Sequence, residues 1–112
     1  MNKIFKTDIT EKREFTRIKR SYKMIASDEQ NHIYLFKITP LELEKTYEQF
    51  ELVKGVKVKN PDGNIVYRYP SDEQFGQYGW YICGPLERCI RVINEKYEEL
   101  TGNKEFNELL EV

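Results

Sequence analysis

The sequence of 112 residues is long enough for one hydrophobic core and too short for two, so a single domain spanning residues 1–112 is predicted. Apolar residues make up 39% of the chain and charged residues 33%. The core must therefore be thin and built from large side chains, which six Phe, eight Tyr and one Trp supply. A domain of this size needs no disulfide or metal ion to fold.

Cysteine content and hydropathy argue against a secreted or membrane protein. Cys83 and Cys89 are the only cysteines, far below the density of a disulfide-stabilised secreted domain. Residues 1–8 contain no apolar run typical of a signal peptide, and no later stretch is long enough to cross a bilayer. We therefore expect a cytoplasmic location, reduced thiols and no membrane partner.

The net charge of −1 is distributed unevenly. Residues 1–25 carry eight basic and three acidic side chains, a balance of +5, and the remainder carries ten basic and sixteen acidic ones, a balance of −6. Such asymmetry can mark a surface for nucleic acid or an acidic partner, or it can be neutralised within the fold. The single Ala beside twelve Lys and ten Ile reflects A/T-rich codons and indicates a low-GC bacterium or its mobile elements.

The N-terminal third of the chain is the hardest to assign. In residues 10–19 the apolar spacing fits a helix as well as a strand, and both alternatives stay open. Residues 33–39 are typical of a strand, and Ser27 to His32 of a turn. We therefore predict a hairpin whose first strand covers residues 20–26.

A helix is predicted over residues 40–52. Thr39 can cap its first amides, Pro40 suits the first helical position, and Glu42 completes a capping box. The apolar residues that follow at helical spacing are Leu43, Tyr47 and Phe50, and a second, solvated stripe consists of Glu44, Glu48 and Glu51.

A second hairpin is predicted to pair residues 56–59 with residues 65–69. The segment Asn60 to Gly63 between them offers Pro for the second position of a type I turn and Gly for a left-handed closing residue. This register gives one apolar face, with Val58 opposite Val66, and one basic and aromatic face, with Lys57 opposite Tyr67.

The C-terminal third is predicted to contain a loop over residues 71–78, a strand over residues 80–83 and a helix over residues 85–101 that stops at Gly102. A short closing helix over residues 104–110 is also expected. The predicted fold class is α+β, an antiparallel sheet of about four or five strands with two main helices, about 40–52 and 85–101, packed on one face.

The sequence contains no recognisable set of catalytic, cofactor-binding or metal-binding residues. His32 is the only histidine and falls in a predicted turn, where a surface or capping role is expected. Cys83 and Cys89 lack the spacing of a redox or metal motif, and Cys89 falls on the apolar stripe of its helix. Neither a dinucleotide-binding glycine motif nor a phosphate-binding loop is present. A non-enzymatic domain without a cofactor is therefore favoured.

Two residue groups are candidates for binding. Tyr and Trp provide large contact areas with a polar tip, and basic groups neutralise phosphates. The candidate partner-binding residues are Tyr67, Arg68, Tyr69, Tyr78, Trp80 and Tyr81, and the candidate phosphate-contacting residues are Arg17, Lys19, Arg20, Lys23, Lys57 and Lys59. For both groups, packing against the fold is the alternative interpretation.

Three functions follow as hypotheses. The first is a binding or regulatory domain with a protein partner, and the second is a nucleic-acid-binding domain that uses the basic N-terminal stretch. The third, weaker hypothesis is a small metal-independent ribonuclease, since Arg, Lys, Tyr and Glu can stabilise charge without histidine. The oligomeric state is left open, and a homodimer is compatible with the sequence.

Overall fold

The computed structural model of the chain describes residues 8–11, 13–41, 48–103 and 106. Seven strands and one α-helix follow a short 3-10 helix at Ile9–Glu11. In chain order these are β1 (Glu14–Arg17), β2 (Arg20–Asp28), β3 (Ile33–Pro40), β4 (Glu48–Lys54), β5 (Val56–Lys59), β6 (Ile65–Arg68), β7 (Gly79–Gly84) and α1 (Leu86–Thr101).

The main sheet has five strands in the order β1-β2-β3-β4-β7, and every neighbouring pair is antiparallel. The predicted hairpin of the N-terminal third is present as β2 and β3, with a bulge between Met24 and Ala26. The apolar spacing of residues 10–19 fitted a helix as well as a strand. This stretch contains β1, so the strand alternative is correct for Glu14–Arg17. Strands β5 and β6 form a separate sheet of two strands.

Helix α1 covers one face of the main sheet, here called the helix face. Its buried residues Cys89, Ile93 and Tyr97 pack against the sheet residues Leu35 and Phe50 in one hydrophobic cluster. The hydroxyl of Tyr97 also donates a hydrogen bond of 2.6 Å to Asp28 Oδ2. Gly102 ends the helix with a φ of 81°, and its N–H donates to the carbonyl of Glu98. The helix predicted over residues 85–101 is thus confirmed.

On the opposite face, the described residues that cover the sheet are chain segments and form no second α-helix. Residues 69–78, here called the strap, connect β6 to β7 across this strap face. The strap residue Tyr69 packs on Phe15 and Phe36 with ring centroids 5.5 Å and 5.9 Å away. Pro70 beside it is fully buried. The core therefore lies in two layers, one on each side of the sheet.

The prediction of two main helices is wrong. Pro40 ends β3, residues 48–52 belong to β4, and residues 42–47 lie outside the described residues, so α1 is the one α-helix that the structure describes. Glu51, expected on a solvated stripe, is only 6% exposed. The capping box is a local signal of about 1 kcal/mol, whereas β4 gains cross-strand pairing on both sides and burial on both faces.

The second predicted hairpin is confirmed in its register. Val58 lies opposite Val66, and Lys57 lies opposite Tyr67. Gly63 closes the turn with a φ of 91°, and its N–H donates to the carbonyl of Asn60 at 2.9 Å. The closing helix expected over residues 104–110 falls almost entirely outside the described residues.

Candidate binding surface

The aromatic residues of strand β6 and the start of the strap are largely taken up by packing. The ring of Tyr67 stacks on His32 with centroids 3.5 Å apart and planes 8° from parallel. Tyr69 is 6% exposed and belongs to the strap-face core. Arg68 between them is half-buried. This part of the candidate set therefore offers little ring surface to a partner.

The remaining aromatic candidates lie on opposite sides of the main sheet. Trp80 lies on the helix face, where Nζ of Lys96 is 4.9 Å from the centre of its ring. Tyr81 follows on the strap face and is 53% exposed. Tyr78 is half-buried at the end of the strap. The structure thus does not bring the six candidates to one surface, and among them Tyr81 is the exposed ring.

The basic candidates of the N-terminal stretch are brought together only in part. Arg17, Lys19 and Arg20 lie at the tip of the β1–β2 hairpin, where Arg17 is paired with Asp72 at 3.3 Å. Lys23 is exposed, but strand alternation places it on the helix face of the sheet. The tip therefore brings Arg17, Lys19 and Arg20 together and leaves Lys23 apart from them.

Lys57 and Lys59 are exposed on β5, far from the hairpin tip. Strand β5 follows β4 at the end of the sheet where Lys54 pairs with Ile33. The tip is at the other end, where Arg20 pairs with Pro40. At about 3.3 Å per residue along β3, these two ends are roughly 20 Å apart. The six candidate phosphate-contacting residues thus form two separate groups.

The tip of the β1–β2 hairpin carries an unusual residue. Ile18 and Lys19 form the loop, with positive φ values of 40° and 62°. Two central residues with positive φ are typical of a type I′ turn, which matches strand twist but strongly favours Asn and Gly. A β-branched residue is strained in this conformation. The Ile18 side chain is nevertheless 85% exposed, so it gains little from burial in the isolated chain.

A second exposed aliphatic side chain lies beside the tip. The N–H of Leu41 donates to the carbonyl of Lys19 at 2.9 Å, which holds the residue after β3 against the β1–β2 loop. Leu41 is 59% exposed. Ile18 and Leu41, with the flanking Arg17, Lys19 and Arg20, are here called the hairpin-tip surface. The sequence alone does not reveal this role of Ile18, because its exposure depends on the strand register.

A buried polar cluster lies under the strap. Glu51 and Gln49 on β4 are 6% and 4% exposed, and burial raises the pKa of the Glu51 carboxyl to about 7 against a weaker opposing effect of the Arg17 charge. Within the described part of the chain, Oε1 of Glu51, Oε1 of Gln49 and the hydroxyl of Tyr69 have no hydrogen-bond partner. These groups are shielded from solvent, so they bear on stability rather than on contact with a partner.

Other reactive groups are not assembled into a centre. Cys83 is exposed and Cys89 is buried, where its thiol donates to the carbonyl of Gly84 at 3.4 Å. His32 is half-buried against Tyr67. The residues that the structure describes contain no group of three or more His, Cys, Asp or Glu side chains placed to hold a metal ion. None of the helices they form is long and apolar enough to span a bilayer.

Comparison of the chain with protein-family models, with curated proteins and with solved structures finds no match in any of the three. The proposal of a function therefore depends on the geometry of this chain alone.

Proposed function

We propose that this chain is a cytoplasmic, non-enzymatic domain that binds a protein partner through the hairpin-tip surface. The observation that carries the proposal is Ile18, which combines 85% exposure with a left-handed backbone. Strained conformations persist where the surrounding structure imposes them, and they cluster at functional sites. Two free thiols suit a reducing compartment.

The partner expected from this chemistry has an apolar pocket with an acidic rim. Ile18 and Leu41 supply aliphatic area, and burying one such side chain contributes about 1.5–3 kcal/mol. Lys19 in the loop and Arg20 directly after it are exposed and would lie over acidic groups of the partner. The geometry favours binding over ribonuclease chemistry, since the carboxyl of raised pKa belongs to Glu51, which is buried beneath the strap and shielded from solvent.

Ile18→Asn is expected to stabilise the fold and weaken partner binding together. Asn adopts positive φ more readily than a β-branched residue, so the free energy of unfolding should rise by about 1 kcal/mol. Removing the apolar anchor should weaken affinity for the partner by roughly tenfold or more. Urea unfolding measures the first effect, and titration of the purified partner measures the second.

The matched control is Ile65→Asn, which changes the same residue type at a position that is 52% exposed on β6. The partner is identified as the protein that immobilised wild type and Ile65→Asn both retain from a lysate and that Ile18→Asn loses. If Ile18→Asn retains every protein that the wild type retains, the hairpin tip is not the binding surface.

A second candidate function is nucleic-acid binding, favoured by the grouping of Arg17, Lys19 and Arg20 at the tip. It predicts retardation of RNA or DNA in a gel-shift assay at low ionic strength, lost in the double variant Lys19→Gln and Arg20→Gln. The same double change at Lys57 and Lys59, at the other end of the sheet, is the control. Absence of retardation at low salt would eliminate this candidate.

A further inference from the structure

Strand β7 is an edge of the main sheet, and no charged residue or proline within the strand protects it. Among the described residues no strand lies beyond it. Its sequence from Gly79 to Gly84 contains Trp, Tyr, Ile and Cys but no charged residue and no proline. Natural proteins usually protect such edges with charges, prolines, bulges or very short strands. The opposite edge, β1, has four residues and carries Glu14 and Arg17.

One hydrogen bond determines which backbone groups of β7 point outward. The N–H of Lys54 at the end of β4 donates to the carbonyl of Tyr78 at 2.7 Å, just before β7 begins. In an antiparallel pair, residues alternate between those bonded to the neighbour and those directed away from it. Trp80 and Ile82, two and four residues further on, are therefore bonded to β4. The residues between and after them direct their N–H and C=O groups to the free edge.

The outward groups available for pairing belong to Tyr81 and Cys83. Both residues are exposed. The carbonyl of Gly79, which also points outward, already accepts a hydrogen bond of 2.7 Å from the N–H of Gly76. Pro85 has no N–H to offer after the strand ends. The free edge is thus short: it is limited by the occupied carbonyl of Gly79 on one side and by Pro85 on the other.

We propose that two copies of this chain associate by antiparallel pairing of their β7 strands around a two-fold axis at Ile82, which extends the sheet across both copies. In this register Tyr81 of each copy lies opposite Cys83 of the other. Each such pair exchanges two backbone hydrogen bonds, about four in total. A register centred on Tyr81 would require the occupied carbonyl of Gly79, and one centred on Cys83 would place Pro85 in the ladder.

A second copy suits this edge because the strand is self-complementary. The uncharged strand brings no like charges into opposition when it meets itself. It is also already ordered within the sheet, so pairing does not require the folding of a flexible peptide. Dimerisation would cover part of the Tyr81 ring, which is 53% exposed in the single chain. The β1–β2 hairpin forms the opposite edge of the sheet from β7, and Ile18→Asn leaves β7 unchanged, so separate variants test this proposal and the proposed partner binding.

Sedimentation velocity over a range of protein concentrations tests the association. The wild type should shift with concentration towards twice the chain mass of 13.5 kDa. Tyr81→Lys and Cys83→Lys place a charge beside the two-fold axis and should stay monomeric throughout, with unchanged circular dichroism. Thr16→Lys, the same charge on the other edge strand, should behave as the wild type. A wild type that stays monomeric, or a dimer that persists in both β7 variants, would overturn the proposal.

Amide exchange and cross-linking test the register. Protection of the Tyr81 and Cys83 amides should increase with protein concentration, while the Ile82 amide, already bonded to β4, should stay constant. In Tyr81→Cys, each new cysteine should form a disulfide with Cys83 of the other copy upon oxidation, since hydrogen-bonded pairs have Cα atoms about 5.5 Å apart, within disulfide range. Concentration-independent exchange at all these amides would contradict pairing at this edge.

Discussion

Glu51→Gln is expected to raise the free energy of unfolding by about 3 kcal/mol at pH 8 and to change it little at about pH 4. Burial raises the pKa of the Glu51 carboxyl in the folded protein from 4.5 to about 7. The folded chain therefore holds this proton at pH values where the unfolded chain has released it. Gln keeps the size and polarity of the protonated side chain and has no charge to bury.

The direction of the effect follows from proton binding. Below about pH 4.5 both states bind the proton, and the Glu51 contribution to stability is fully present. Between about pH 4.5 and 7 only the folded state binds it, so stability falls as the pH rises, and above about pH 7 the loss is complete. The charged or titratable side chains around Glu51 on the strap face are Arg17, Tyr22, Asp72 and Tyr81.

Urea unfolding of wild type and Glu51→Gln at several pH values measures this contribution as a difference. The comparison with wild type is needed because the stability that other carboxyls contribute changes with pH in the opposite direction. Burial of Asp8 and Asp28 is outweighed by hydrogen bonds, which lower the pKa of both groups, so their contributions are lost as the pH falls. If the two stability profiles run parallel from pH 5 to about pH 8, Glu51 is ionised normally in the folded protein.

Local signals predicted the elements of this fold that are specified by neighbouring residues. The turn Asn60 to Gly63 fixed the register of β5 and β6, because Gly63 adopts the left-handed conformation that the turn requires. Helix α1 was predicted because its buried residues Cys89, Ile93 and Tyr97 recur at helical spacing and Gly102 ends it. Both elements depend on contacts close in sequence.

The errors arise where long-range contacts decide. The apolar spacing of Leu43, Tyr47 and Phe50 indicated a helix that continues to residue 52. Residues 48–52 instead belong to β4, which is central in the sheet and buried on both faces. The burial of Glu51 depends on the strap, which follows a whole hairpin later in the chain. Ile18 gave no signal, since a single Ile in an ambiguous stretch does not reveal a left-handed loop.

Phe36→Ala is expected to lower the free energy of unfolding by about 4 kcal/mol, a large part of the stability of a small domain. Phe36 is fully buried under the strap, and its ring meets Phe15 edge-on with centroids 5.5 Å apart. Tyr69 contacts the same ring from the strap. Removing the Phe36 ring leaves a cavity where the strap meets the sheet.

Phe75→Ala is the matched comparison for this change. Phe75 belongs to the strap but is half-buried, with its ring 6.1 Å from Tyr69, so its loss should cost about half as much. Urea unfolding at about pH 4, where Glu51 binds its proton in the folded and the unfolded state, compares the two changes with almost no contribution from its ionisation. Equal losses would mean that the Phe36 ring beneath the strap is packed no more tightly than the half-buried Phe75 ring.

The cavity variant also couples packing to the buried carboxyl. The pKa of Glu51 is raised because the strap and the sheet exclude water from it. If Phe36→Ala loosens the strap, water reaches Glu51, its pKa falls towards 4.5, and the stability of the variant should depend less on pH than that of the wild type. The gain from Glu51→Gln at pH 8 should then be smaller in the Phe36→Ala background, a non-additivity that a double-mutant cycle measures. Strictly additive effects would show that the strap excludes water from Glu51 even without the Phe36 ring.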